Sequence, residues 1–442
     1  MTRYTPEIQK ALDHAWNREA AEANLDRWLT ICDKEGWHNC PVNMPLLVSI
    51  FGASWYFSRF IFFCGNKAAD LIDNDTLPDF SLPALLELLD TARTGDGIET
   101  ELENLRFVKN EVMLQILICV LKGNMPQSGI EQSLTNLAES CLRVCIDIIA
   151  CEIDSREWDY ISIVAMGRMA GGEMNFGSDL DLIFLYSEKY RDNAASMVRQ
   201  SLNLLRHISQ LSPNGTLYEI DMRLRPHGSS GTLVTSADYF IEYHSGEREI
   251  WERQMMTRCR SVYDVSQIAE KSLIEIQRYI YAEYDQEKLR DEIIEIRRLV
   301  QKELGNPQGK LEIKRGAGGI MDIDFISHYL QLRHGYEYPE LCTTSTRKVF
   351  AELSKLGLLD AKQSEDLIDA YDFLKRIEGR LRVYDMKSLN AFPDAPEGVI
   401  NLARSMGHFD KDNIKAAKGF LDEYQNITTR VRGCFRELVG EI

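Results

Sequence analysis

The sequence predicts an α+β protein, predominantly helical, with a small mixed sheet set between two helical regions. Two observations carry this. Apolar residues recur at three- and four-residue spacing through most of the chain, as in Leu25-Trp28-Leu29 and Leu134-Leu137-Ala138-Cys141-Leu142-Cys145, the period of a helix with one buried face. At Trp158 that period gives way to short apolar runs separated by glycine- and proline-bearing turns, the pattern of strands. The expected division is a helical region over 1–150, a sheet-bearing domain over 151–268 and a helical bundle over 269–442.

Taken in order, Pro6 to about Ala150 reads as helices, with a turn at Thr94-Gly95-Asp96-Gly97. The most apolar stretch, Leu46 to Cys64, contains Arg59, Gly52 and three serines. It reads as a core helix, being too mixed for a membrane span. Ile161 to Met166 reads as a buried strand ending at Gly167, and a glycine-bearing turn follows over 167–172. A second strand starts at about Ser178. A helix from about Asn193 to Leu211 is broken by Ser212-Pro213-Asn214-Gly215, and a third strand runs from Leu217 to Leu224, ending at Pro226. Beyond about Ser266 the helical period returns. Tyr284 to Leu304 is expected to be amphipathic, with Leu289, Ile293, Ile296 and Val300 inward, stopping at Gly305 with Pro307 just beyond.

The formal net charge of −17 argues against a nucleic-acid binder, which would carry a basic face. The ten cysteines have no paired-zinc spacing and no CxxC. Cys64, Cys119, Cys145 and Cys151 lie in apolar contexts and are expected to be reduced core residues of a cytoplasmic protein. Thr2 to Asp33 is charged and helical, unlike a signal peptide. Neither nucleic acid nor membrane is expected as a partner.

The chemistry concentrates in Ser178-Asp179-Leu180-Asp181-Leu182-Ile183-Phe184. On a strand Asp179 and Asp181 share one face, while Leu180, Leu182 and Phe184 make the other apolar. Paired hard oxygen donors suit Mg²⁺, which takes a few carboxylates plus substrate phosphates. If the third strand lies beside this one, Asp221 completes a three-carboxylate cluster able to hold two metal ions. Asp179, Asp181 and Asp221 are therefore the expected catalytic and metal-binding residues. An isolated Asp-x-Asp is more often a strand end facing water; the glycine turn before it and the acidic strand after it favour function. In that turn Gly167, Arg168, Gly171 and Gly172, together with Ser178, are expected to meet nucleotide phosphates. The turn is neither a P-loop nor a dinucleotide fingerprint, and a tight strand-to-helix connection explains it equally well. Arg223 and Arg225 are candidates to clamp phosphates by forked hydrogen bonds, with surface ion pairs as the alternative. A second Asp-x-Asp, Asp322 and Asp324, lies in residues of helical spacing. There the two carboxylates diverge by about 200°, and Asp322 suits a helix N-terminus. The eight histidines form no cluster and no HExxH.

Together these residues resemble a known family. Gly167-Arg168-Met169-Ala170-Gly171-Gly172-Glu173-Met174-Asn175-Phe176-Gly177-Ser178-Asp179-Leu180-Asp181 is similar to the signature of glutamine synthetase adenylyltransferases, within the polymerase-β-like nucleotidyltransferases. Asp221-Met222-Arg223-Leu224-Arg225-Pro226 with Gly228 and Gly231, Trp251-Glu252-Arg253, Gly316-Ala317-Gly318-Gly319-Ile320 with Asp322-Ile323-Asp324-Phe325, and Arg376-Ile377-Glu378 match further blocks, and Phe51-Gly52-Ala53-Ser54 has a counterpart. The resemblance implies Mg²⁺-dependent transfer of AMP from ATP to a tyrosine of glutamine synthetase, or its phosphorolytic removal to give ADP. It implies two Mg²⁺ ions, ATP or ADP and phosphate as substrates, glutamine synthetase as protein substrate, and PII signal protein and glutamine as effectors. Family members carry the two reactions in two homologous halves, and this chain matches one. Trp251-Glu252-Arg253 and the Arg376 block resemble the deadenylylating N-terminal half, which is favoured; Leu233-Val234-Thr235-Ser236 and Tyr218-Glu219 resemble the adenylylating half. Arg168 stands where the family has lysine, Ala170 where it has glycine, and Gly177 where it has serine. The rival readings are a PII-type uridylyltransferase and a non-catalytic nucleotide- or partner-binding regulatory module.

Overall fold

Every strand named among the described residues comes from the middle of the chain. The structure is a computed structural model describing residues 4–37, 43–73, 78–152, 157–304 and 311–441. The strands are β1 (Ile161–Met166), β2 (Leu180–Tyr186), β3 (Ile220–Asp221), β4 (Val234–Ser236) and β5 (Cys259–Tyr263). Their order is β3-β2-β1-β5, with β4 also pairing with β2. β1 runs antiparallel to β2 and β5; β3 and β4 both run parallel to β2. The sheet is thus mixed, as the sequence predicts.

Helices precede and follow it, from Pro6–His14 to Gln127–Glu152 and from Ile268–Ile280 to Asn413–Leu438. The apolar stretch at 46–64 is two helices, Met44–Ala53 and Trp55–Cys64. Ser54 makes the break: its hydroxyl accepts from the Phe57 N–H at 3.2 Å, capping the second helix, and donates to the Val383 carbonyl at 2.6 Å. No helix among the described residues is long and apolar enough to cross a membrane.

Alternation along the strands divides the sheet's side chains between two cores. Ile161, Ile163, Ala165, Leu180, Leu182 and Phe184 pack with the N-terminal helices. Val164, Met166, Ile183 and Leu185 pack with the C-terminal helices. Both faces are covered, so β1 and β2 are apolar nearly throughout. Asp181 shares the parity of Ile183 and Leu185 and therefore faces the C-terminal helices.

Several expectations are corrected. β2 begins at Leu180, so Asp179 lies in the loop just before it. The third strand is two residues long, because the chain turns sharply after Asp221. Arg225 braces that turn, its guanidinium donating to the Met222 carbonyl at 2.7 Å and to the Gly231 carbonyl at 3.2 Å. The glycine turn contains a helical turn, Gly167–Gly171. β4 is three residues, and in β5 only Val262 is fully buried, so neither shows a strand period in the sequence. Cys151 is exposed and Cys64 half-buried, whereas Cys119 and Cys145 are core thiols. Gly305 and Pro307 lie outside the described residues.

Candidate active site

β2 and β3 meet through two residue pairs, Leu180 with Ile220 and Asp181 with Asp221. Paired residues of adjacent strands project to the same face, so Asp181 and Asp221 stand side by side. Asp179 adds its charge from the preceding loop. Burial first, then the Asp221 carboxylate, pushes Asp181 up to about 6; Lys314 opposes the rise and Asp179 adds to it. Asp221 is held low by hydrogen bonds from Arg223.

Gly167 brings the end of β1 against this pair. Its φ of +56° suits glycine, and a Cβ there would lie 2.9 Å from Asp181 Oδ2. Gly177 plays a similar part on the other side. Its φ is +59°, and a Cβ would lie 2.9 Å from the Met386 carbonyl carbon. A serine at 177 would meet the 386–387 backbone, which accounts for glycine here.

The remaining candidates separate. Arg223, with its side chain 77% exposed, forks onto Asp221, its Nε donating to Oδ1 at 3.0 Å and to Oδ2 at 2.9 Å. Arg168 is engaged by acidic and hydroxyl partners. It pairs with Asp324 at 2.6 Å and Glu173 at 3.4 Å, and donates to the Tyr371 hydroxyl. Arg225 is committed to loop carbonyls. Gly171 and Gly172 line a separate cavity of about 470 Å³ with Arg260 and Lys348, which none of the three aspartates lines. Of the residues expected to meet phosphates, Gly167, Ser178 and Arg223 lie nearest the aspartates. The second Asp-x-Asp diverges as its helical spacing requires. Asp324 binds Arg168 and Arg258, while Asp322 binds Arg297 and Arg432.

The donors fit a divalent cation in chemistry, being carboxylates crowded enough to repel one another. A preformed cradle is nevertheless absent: among the described residues no three His, Cys, Asp or Glu side chains converge on a metal site. Arg223 occupies Asp221, and its exposure allows it to swing aside.

Beside Asp179 opens a cavity of about 480 Å³, lined by Tyr56, Met113, Leu134, Met174, Tyr218 and Met386 among others. Its floor is held by the Ile98–Lys122 helix. Buried Lys109 donates to the carbonyls of Thr216 at 2.8 Å and Leu217 at 2.7 Å. Asn110 donates to the Asn214 carbonyl at 2.9 Å, and Arg106 to the His207 carbonyl at 3.0 Å. These bonds fix the segment that delivers Asp221. Burial pushes the Lys109 ammonium down to about 8. Nothing in local spacing marks Lys109, since its partners lie about a hundred residues away; only its polarity on a buried helix face is a signal. Lys109→Met leaves one buried and one part-buried carbonyl without this donor. It is expected to cost about 1–3 kcal/mol and to lower turnover more than a surface Lys→Met control, measured by denaturation and initial rates.

A family model described as glutamate-ammonia ligase adenylyltransferase matches residues 45–274, and one described as GlnD PII-uridylyltransferase matches residues 292–439. Among curated relatives, the bifunctional glutamine synthetase adenylyltransferase/adenylyl-removing enzyme of Chromobacterium violaceum is 29% identical over 355 residues, covering 79% of this chain and 40% of the relative. Proteins of the same name from Burkholderia mallei and Burkholderia pseudomallei are each 28% identical over 366 residues, covering 80% of this chain. The chain spans about 40% of the length of these relatives. With the first family model covering more than half of its residues, in the stretch that holds all three aspartates, the chain belongs to the glutamate-ammonia ligase adenylyltransferase family.

Proposed function

We propose that this chain moves an adenylyl group onto, or off, a tyrosine of glutamine synthetase, with Asp179, Asp181 and Asp221 as the residues that hold divalent metal. The observation that carries the reading is the parallel pairing that sets Asp221 beside Asp181, within a chain whose curated relatives bear that activity in their name. The catalytic centre would lie in 151–268, with 1–150 bracing it and 269–442 covering the Asp181 face. When bound, Mg²⁺ supplies charge neutralisation at the phosphates and activates the attacking oxygen; two ions are proposed.

The protein's own part is positional. β2 and β3 hold two carboxylates rigidly, and Gly167 lets backbone approach them closely. The cavity beside Asp179 suits a nucleoside ring, offering Tyr56 and Tyr218 as aromatic walls. Arg223, which now pairs with Asp221, is exposed and would be free to meet a phosphate if a cation took its place there. In the forward direction the tyrosine oxygen attacks the α-phosphorus and pyrophosphate leaves. In the reverse, an oxygen of inorganic phosphate attacks the adenylyl phosphorus, the bond to the tyrosine oxygen breaks, that oxygen takes a proton, and ADP is released. The match of residues 292–439 to a PII-uridylyltransferase model supports PII signal protein as a regulator acting through the C-terminal helices; glutamine is proposed as a second effector on the family resemblance alone.

The test incubates the chain with Mg²⁺, glutamine synthetase and ATP labelled in the α-phosphate, and in parallel with AMP-modified glutamine synthetase and phosphate. Label is expected to enter in the first or ADP to appear in the second. Neither event in wild-type protein would refute the catalytic reading and favour a non-catalytic regulatory module.

A further inference from the structure

Asp179 enters the site from a segment that one helix of the C-terminal layer holds along its length. That helix, Ala361–Val383, carries Tyr371, Lys375, Glu378 and Arg382 on one face, all of them buried. The Tyr371 hydroxyl donates to Glu173 at 2.6 Å. The Asn175 side chain donates to the Lys375 carbonyl at 2.8 Å and to Glu378 at 3.3 Å. Gly379 makes room for this approach, since a Cβ there would lie 2.7 Å from Asn175 Oδ1. Arg382 donates to the Ser178 hydroxyl oxygen at 3.3 Å, one residue before Asp179.

Arg382 also holds a second part of the same cavity. Its guanidinium pairs with Glu378 at 2.8 Å, donates to the Asn390 side chain at 2.8 Å and to the Leu389 carbonyl at 3.3 Å. Residues 385–388 just upstream and Ser178 itself both line the cavity beside Asp179. One planar fork therefore ties together two pieces of chain that are far apart in sequence and adjacent at the site.

The bonding at Ser178 has a chemical consequence. A hydroxyl offers two lone pairs and one proton. The Asn175 N–H enters one lone pair at 3.0 Å, and Arg382 enters the other. Only the proton is left, and among the described residues no acceptor takes it. A charged donor on the oxygen also polarises the O–H. Ser178 is thus set as a donor at the edge of the cavity, and a phosphate oxygen is the kind of acceptor it lacks.

We propose that Arg382 is a positioning residue for adenylyl transfer, holding the Ser178 hydroxyl as a donor to a substrate phosphate at Asp179. This rests on the adenylyl-transfer reading. Arg382 itself does not touch the substrate; it acts through Ser178.

A double-mutant cycle tests the link. Ser178→Ala removes the hydroxyl. Arg382→Lys keeps a cation for Glu378, and with it the fold, but an ammonium lacks the fork that joins Glu378, Asn390 and Ser178; Arg382→Gln takes its place in the cycle should the lysine variant fold poorly. Calorimetric titration with Mg-ATP and Mg-ADP measures affinity, and initial rates of the adenylyl reaction give KM and kcat. Ser178→Ala is expected to weaken nucleotide binding about ten- to a hundredfold, and Arg382→Lys about three- to tenfold. The double variant should bind within about twofold of Ser178→Ala alone, because both changes break one hydrogen bond. Losses that multiply would mean that Arg382 acts through general packing, and would overturn the inference, as would wild-type affinity in either single variant. Those outcomes leave the enzyme reading intact. A wild type that performs neither adenylyl reaction brings down both.

Discussion

Asp181→Asn is expected to abolish adenylyl transfer while making the metal-free protein more stable. A donor for the cation is lost and with it nearly all activity, at least about a thousandfold if the cation carries several kcal/mol of charge stabilisation. The stability gain follows from the raised proton affinity of Asp181, about 6 against an ordinary value of 3.8. Below about pH 4 the carboxyl is protonated whether the chain is folded or not, and nothing distinguishes the two proteins. As pH rises toward 6 the unfolded chain ionises freely, while the folded protein does so against burial and against Asp221. Stability is therefore withdrawn across that window and remains withdrawn above it. Holding the proton that much more tightly in the folded state costs roughly 3 kcal/mol at neutral pH. Thermal melts of both proteins in a chelator, from about pH 4.5 to 7.5, should diverge progressively, with the asparagine variant melting a few degrees higher at the top. Saturating Mg²⁺ should then raise the melting temperature of the wild type alone. A variant less stable than wild type at neutral pH, or one still active, would contradict the role given to Asp181.

Asp322→Ala is expected to have the largest effect on folding. Arg297 and Asp322 are wholly buried and meet at 2.6 Å. Asp322 also accepts from the Gly318 N–H at 2.7 Å and from Arg432 at 3.1 Å. Truncating it strands a guanidinium where water cannot reach, which costs about 3–5 kcal/mol. Arg297 keeps its two loop carbonyls, so the loss falls on the charge. Replacing both partners, Asp322→Ala with Arg297→Met, should recover only part of it: the stranded charge is gone, but the Gly318 N–H and the Arg315 and Gly316 carbonyls still lose their partners. Urea titrations of wild type, single and double variants decide this; a single variant within about 1 kcal/mol of wild type would mean that water or another acid screens Arg297.

Asp322 and Asp324 show how local spacing can be read. Their divergence follows from helical geometry, and the structure assigns each its own arginine partners. β1 is equally legible, being five apolar residues and one serine between a tryptophan turn and a glycine. Asp181 can be singled out because a carboxylate is rare on a strand that is otherwise apolar, and Asp179 and Asp221 because they flank it in the loop before and the strand beside it. What spacing cannot give is long-range pairing. Arg168 sits in the glycine turn and reads as a phosphate ligand, but its partner lies 156 residues later. Arg223 reads as a free clamp, yet its short reach lets it fold back on Asp221. β3 is visible only because it pairs with β2; two residues have no period of their own. Lys109 carries no local mark, since it acquires its setting from a distant segment that folds against it.

Because each face of β1 and β2 belongs to a different hydrophobic core, neither flank of the sheet is a removable accessory. Excising residues before 151 or after 268 would bare a greasy surface many side chains wide, a template for aggregation rather than a minimal enzyme. The sheet-bearing segment and its two neighbours are one inheritable unit, and any shortened version intended for crystallisation or assay has to keep both coverings.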